Sequence, residues 1–116
     1  MNSRAIPFST VRVLLDENLP HDLAAMLAPH FAETVAGVGW AGVTNGELLR
    51  RAAGRFDALI SMDRGLEFQQ PLVRQPFGTV LISSPSNRMV HLKPLVSALL
   101  AALDGLGPGE IRRVGA

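Results

Sequence analysis

The chain has 116 residues, 47% hydrophobic and 18% charged, and eleven Lys+Arg against ten Asp+Glu leave a formal net charge of +1. A chain of this length is expected to form one domain and to bury about two-thirds of its unfolded surface, enough to fold without a disulfide or a structural metal. It has no cysteine, which excludes disulfide frameworks, thiolate zinc sites and cysteine nucleophiles. The near-neutral balance argues against non-specific coating of DNA and requires that any polyanion be met by a local basic patch.

Residues 1–10 carry Arg4 and then a polar stretch rather than a long apolar segment with a small-residue cleavage site. They are expected to be a flexible N-terminal extension ahead of a single domain over 11–116, not a secretory signal. Apolar runs stop short of the roughly 18 residues that a membrane-spanning helix needs, so a cytoplasmic protein with no membrane contact is the expectation. Val11 to Leu15 reads as a strand covered on both faces. Asn18-Leu19-Pro20 offers an N-cap and a first-turn proline, and Leu19, Leu23, Met26 and Leu27 then recur at helical spacing until Pro29.

Glu33 to Val38 reads as a weaker second strand, Gly37 to Gly42 with Trp40 at its centre as a loop, and Thr44 as the start of the next helix. That helix carries the stripe Leu48, Leu49, Ala52, Ala53 and Phe56, and Ala58 to Met62 and Thr79 to Ile82 follow as third and fourth strands. Leu92, Leu95, Val96, Leu99, Leu100 and Leu103 mark one last long helix, and Ile111 to Val114 a short closing strand. Strands alternating with helices predict a three-layer α/β/α domain with a mostly parallel central sheet.

Sites in such sheets lie outside the carboxyl ends of the strands. There the sequence is acidic: Asp16 and Glu17 follow the first strand, Asp63 follows the third, Ser83 and Ser84 follow the fourth, and Glu47 opens a helix expected at the same edge. Carboxylates converging there repel one another unless a hard divalent cation neutralises them, and an all-oxygen site suits Mg²⁺ or Mn²⁺. Such an ion lowers the pKa of bound water and stabilises charge on a phosphodiester, the chemistry of metal-dependent nucleases. Local roles also fit each acid. Asp16 suits an Asx-type turn, Thr44-Asn45-Gly46-Glu47 a capping box, and Asp63 the opening of the turn Asp63-Arg64-Gly65.

Asn18, Asn45, Ser83, Ser84 and Asn87 have the groups to hydrogen-bond phosphate or sugar, and Arg64 and Arg88 the charge to neutralise it. Arg50, Arg51 and Arg55 fit either a backbone-contacting patch or a solvated helix face, and Trp40 either base stacking or a dimer contact. His21, His30 and His91 lack metal-ligand spacing, and no phosphate loop of the Gly-x-x-x-x-Gly-Lys type is present.

Taken in order, Leu14-Leu15-Asp16-Glu17-Asn18-Leu19-Pro20, then Gly39-Trp40-Ala41-Gly42 with Asn45-Gly46-Glu47-Leu48-Leu49, then Ser61-Met62-Asp63-Arg64, resemble the motifs of PIN-domain nucleases. The resemblance is to the short bacterial PIN-like proteins associated with toxin-antitoxin pairs. Ser86-Asn87-Arg88 and Pro108-Gly109-Glu110 look like later blocks, so it spans Val11 to Val114. It implies a PIN-like sheet and a metal-dependent endoribonuclease in which Asp16, Glu47 and Asp63 ligate Mg²⁺ or Mn²⁺ and orient the attacking water. Glu17 and Glu67 are further candidate ligands, Glu67 as a displaced fourth acid. The partners implied are an RNA substrate, an antitoxin protein and a second copy of the chain.

Two other readings stand beside it. A catalytically silent PIN-like module would use the same surface for binding. A phosphoacceptor receiver-like domain shares the acids and hydroxyl at these strand ends, but it needs a helix and a fifth strand between that hydroxyl and a lysine, and Ser84 to Lys93 is too short for both. In the metal-free protein, Asp16→Asn or Asp63→Asn is expected to leave stability equal or raised, because either relieves carboxylate repulsion.

Overall fold

In the computed structural model of the protein, which describes residues 10–115, the strands form one five-stranded, all-parallel sheet. They are β1 (Arg12–Leu15), β2 (Phe31–Thr34), β3 (Ala58–Ser61), β4 (Gly78–Ser83) and β5 (Ile111–Gly115), in the order β2-β1-β3-β4-β5. The helices are α1 (His21–Ala25), α2 (Asn45–Ala52), α3 (Leu66–Gln69), α4 (Met89–Leu92) and α5 (Val96–Leu103). The extension expected over residues 1–10 lies, Thr10 apart, outside the described residues. Among the described residues no helix is long and apolar enough to cross a membrane.

The three layers follow from the period-two alternation of strands covered on both faces. Val13, Leu15, Ala58, Ile60, Val80, Ile82 and Val114 pack against Leu23 of α1 and against Leu92, Leu99 and Leu103 of α4 and α5. The intervening Leu14 and Leu59 point the other way, onto Leu48, Leu49 and Ala52 of α2 and Leu66 of α3. Trp40 belongs to this second core. It is 8% exposed and meets Phe56 edge to face at 6.0 Å, so neither base stacking nor a dimer contact has access to its ring. Arg51 and Arg55 lie against the same ring at 5.8 and 5.0 Å.

Three elements differ from expectation, each for a local reason. β2 runs over Phe31–Thr34 rather than Glu33 to Val38, because the chain turns immediately after Thr34: Thr34 Oγ1 accepts from the Gly37 amide at 2.9 Å and the Thr34 carbonyl from the Val38 amide at 3.1 Å. The first helix begins at His21 with Pro20 at its N-cap and no side-chain cap, so Asn18 is not the cap; it is α-helical only to Ala25, though Leu23 and Leu27 are buried as the spacing required. The last long helix is broken at Lys93–Leu95 by a 3₁₀ turn containing Pro94, whose ring removes a backbone donor.

The β4-to-β5 connection crosses the face that carries α1, yet it travels along the sheet in the direction opposite to the β1-to-β2 connection. The two crossovers therefore have opposite hands, an uncommon pairing, since about 98% of parallel crossovers are right-handed. A consequence is that α4 and α5 leave the other face of β4 and β5 to shorter elements. Leu81 and Ile111 on that face are only partly buried.

Candidate functional site

A parallel sheet ordered 2-1-3-4-5 reverses direction between its first and third strands, and ligands bind outside the carboxyl ends at that switch point. The residues there are Asp16, directly after β1, and Asp63, two residues after β3. Their strands pair in parallel register through Leu15 and Ile60, and the Asp16 amide continues the ladder by donating to the Ile60 carbonyl at 2.9 Å.

The two acids belong to one hydrogen-bonded chain. Asp16 is 8% exposed; its Oδ1 accepts from the Glu17 amide at 2.7 Å and its Oδ2 from Ser61 Oγ at 2.6 Å. Ser61, fully buried at the end of β3, uses the same oxygen to accept from the Asp63 amide at 3.0 Å. Asp63 Oδ1 accepts from the Gly65 amide at 2.9 Å, which closes the expected turn, and its Oδ2 accepts from Asn45 Nδ2 at 3.2 Å. Asn45 is the first residue of α2, so this contact brings the amino end of α2 to the same edge. Ser61 thus joins the Asp16 carboxylate to the Asp63 backbone, and Asn45 adds α2 to Asp63.

Glu47 stands differently. Thr44 caps α2 by accepting from the Glu47 amide at 3.3 Å, one half of the capping box. The Glu47 carboxylate does not complete the box; it pairs with Arg50 and with Arg51, the latter at 2.8 Å. Arg51 is therefore committed to Glu47 and the Trp40 ring, which favours the solvated-face reading of these arginines. Glu17, exposed, accepts from the Gly42 amide at 3.3 Å, and a positive φ of 83° at Gly42 suits a residue without a β-carbon. Glu67, the displaced fourth acid, is held in a fork by Arg113, with oxygen-to-nitrogen distances of 2.8 and 2.6 Å. That hydrogen bonding lowers the Glu67 pKa and raises that of Arg113. Among the described residues no three His, Cys, Asp or Glu side chains are grouped to hold one ion.

The polar candidates divide in the same way. Asn87 Nδ2 donates to the Asn18 carbonyl at 2.7 Å, tying the loop after β4 to the loop after β1. Arg88 is exposed at the N-cap of α4, where its amide donates to Ser86 Oγ at 3.1 Å. Ser84 Oγ donates to the Ser86 carbonyl at 2.8 Å. Ser83, the last residue of β4, and Arg64 line a cavity of about 370 Å³ that also takes in Asp63, Phe68, Leu81 and Arg113. Lys93 is exposed and precedes β5, with only α4 between it and the Ser84 loop, so the lysine of a receiver-like site is not formed there.

Sequence reasoning missed Ser61, Phe68 and Arg113. Ser61 had a signal, since a serine alternating with apolar residues in a doubly covered strand needs a buried partner, and Asp16 is that partner. Arg113 had none, because its approach to Glu67 depends on which face the last crossover takes. A larger cavity, about 1050 Å³, opens at the opposite edge beside the amino ends of β1 and β2, lined by Arg12, His30, Phe31 and Asp57 among others. The switch-point rule places no site at that edge. No protein-family model matches the chain, and neither a curated protein nor a solved structure shows significant similarity to it.

Proposed function

We propose that the protein is a metal-dependent ribonuclease of PIN-like type, working at the carboxyl edge of β1 and β3. The observation that carries the proposal is the junction of Asp16 and Asp63 at the switch point through Ser61, with Asn45 of α2 held on Asp63. The donors are hard oxygens, and Mg²⁺ is commonly held by one or two carboxylates with waters and substrate phosphate completing its shell. Asp16 and Asp63 fit that demand; Glu47, the third acid expected from α2, is held by Arg50 and Arg51 and is not grouped with them. When bound, the ion supplies a more acidic water and neutralises charge on the phosphodiester.

The chain's own residues contribute position. Ser61 aims one Asp16 oxygen and leaves Oδ1 with a single backbone partner. Asn45 and the Gly65 amide fix both Asp63 oxygens. Exposed Arg64 and Arg88 near this edge supply the local positive charge that a nearly neutral protein needs to hold RNA. An antitoxin-type partner would act by covering the same edge.

A second reading, a catalytically silent binding module, is favoured by one observation: Glu47 is already neutralised by Arg50 and Arg51. Cleavage of RNA by wild type with Mn²⁺ or Mg²⁺, absent with EDTA and absent in Asp63→Asn, supports the nuclease. RNA binding without metal-dependent cleavage supports the silent module.

A further inference from the structure

The cavity beside Asp63 contains groups that no step of the proposed cleavage uses. Its lining includes Leu81 of β4, Arg113 of β5 and Phe68 of α3, which is 83% exposed. It exists because of the fold's last crossover. With α4 and α5 on the other face, the short α3 lies beside this end of β4 and β5. The end of β5 closes tightly on its neighbour: Gly115 has a φ of 92°, and a β-carbon there would run into the Ser83 carbonyl. Its volume of about 370 Å³ lies within the range of pockets that hold small ligands, and an apolar floor with a few convergent polar groups is their usual composition.

Resting on the nuclease reading, we infer that this cavity seats one nucleotide of a single-stranded RNA next to the scissile phosphate, with its base stacked on Phe68 and its phosphate on Arg113. Three features favour that occupant. The cavity takes in Asp63, so a strand lying in it passes that acid. An exposed aromatic ring beside cationic groups is how single strands are held without base pairing, since every base has a π-face. Arg113 is preoriented: Glu67 takes one fork of its guanidinium, and the side chain is still 62% exposed, leaving donors for a phosphate oxygen. Glu67 is thereby a positioning residue rather than a metal ligand. Duplex RNA has its bases stacked internally and offers no ring face to Phe68.

The test uses the full chain and fluorescence anisotropy with labelled oligouridylate, an abasic strand of equal length and a duplex RNA, in Ca²⁺ and separately in EDTA. Wild type is expected to bind oligouridylate about tenfold more tightly than the abasic strand, a typical effect of one stacked base. Phe68→Ala is expected to remove that difference and Phe68→Trp to keep it, at unchanged melting temperature. Arg113→Gln is expected to weaken both strands alike and to flatten the salt dependence by about one charge. Equal affinity of wild type for uridylate and abasic strands, unchanged binding in Phe68→Ala, preference for the duplex, or no binding in either buffer would each overturn the subsite. The same preparations, assayed for cleavage with Mn²⁺, separate the two ideas. Cleavage with Phe68→Ala equal to wild type in uridylate binding removes the subsite alone, and base-dependent binding without metal-dependent cleavage removes the nuclease alone.

Discussion

Ser61 Oγ lies 2.6 Å from Asp16 Oδ2, fully buried, and accepts from the Asp63 amide with the same oxygen. A hydroxyl that donates to a carboxylate is fixed in direction, so Ser61 ties the aim of Asp16 to the backbone of Asp63. Removing it leaves a nearly buried carboxylate oxygen without its donor and an amide without its acceptor. Ser61→Ala is expected to lower stability by about 1–3 kcal/mol. Urea denaturation followed by Trp40 emission measures this, and a change within experimental error would show that water replaces the hydroxyl at no cost.

The two aspartates are expected to respond differently to amidation. Asp16 accepts from two donors, the Glu17 amide and Ser61 Oγ, and an asparagine has one acceptor oxygen for both. Asp16→Asn is therefore expected to destabilise the metal-free protein by about 1–3 kcal/mol, the reverse of what charge repulsion alone suggests. In Asp63→Asn the side-chain oxygen keeps the Gly65 amide, and Asn45 can turn its amide to accept from the new group. That variant is expected to melt within a few degrees of wild type, and comparison of the two melting curves checks the asymmetry.

Glu47→Gln removes two ion pairs on the surface of α2, each of a kind worth about 0.3–0.5 kcal/mol. A stability loss below about 1 kcal/mol is expected, together with at least a tenfold loss of metal-dependent cleavage if Glu47 is the third acid, since disturbed metal sites commonly lose about 10–100-fold. Unchanged cleavage would confine Glu47 to its helix and leave a site of two aspartates.

The Glu67–Arg113 fork sets a pH signature. Hydrogen bonding to Arg113 lowers the Glu67 pKa, so the folded state binds fewer protons than the unfolded chain in the acid range. The pair's contribution is present above the ordinary glutamate pKa and is lost as pH falls through the lowered value. NMR titration of the Glu67 carboxyl is expected to give a midpoint below that of ordinary glutamate, returning to it in Arg113→Gln and shifting toward it in high salt. Identical titrations in wild type and Arg113→Gln would show that the fork is not populated in solution.

Most of the fold was legible because its signals are local. Doubly covered strands such as β3 are short, mainly apolar runs, and the α2 stripe of Leu48, Leu49 and Ala52 has helical period; Ala58, Leu59, Ile60 and that stripe are buried as read, while Met62 is only partly buried. The second strand slipped because the Thr34 side chain captures the Gly37 amide, a turn device that periodicity does not register. Asp16 and Asp63 were legible as strand-end residues. For Glu47 the local alternative read from the sequence was the capping box; its carboxylate instead pairs with Arg50 and Arg51 one turn along the helix, which spacing did not single out. Arg113 was illegible because it meets the acidic edge only through the face chosen by the last crossover, a property of the whole chain, and Phe68 of α3 gains a cavity beside it only when β5 is in place.

The proposed nuclease stands on Asp16 and Asp63 acting together with a divalent ion on a phosphodiester. Its most direct test is incubation of a random-sequence RNA pool with Mn²⁺, Mg²⁺ or EDTA, sequencing of the new ends, and Asp63→Asn purified identically as control. Wild type is expected to cleave in either metal and not in EDTA, and Asp63→Asn not to cleave at all. Cleavage that persists in Asp63→Asn, or no cleavage by wild type in either metal, would contradict the proposal.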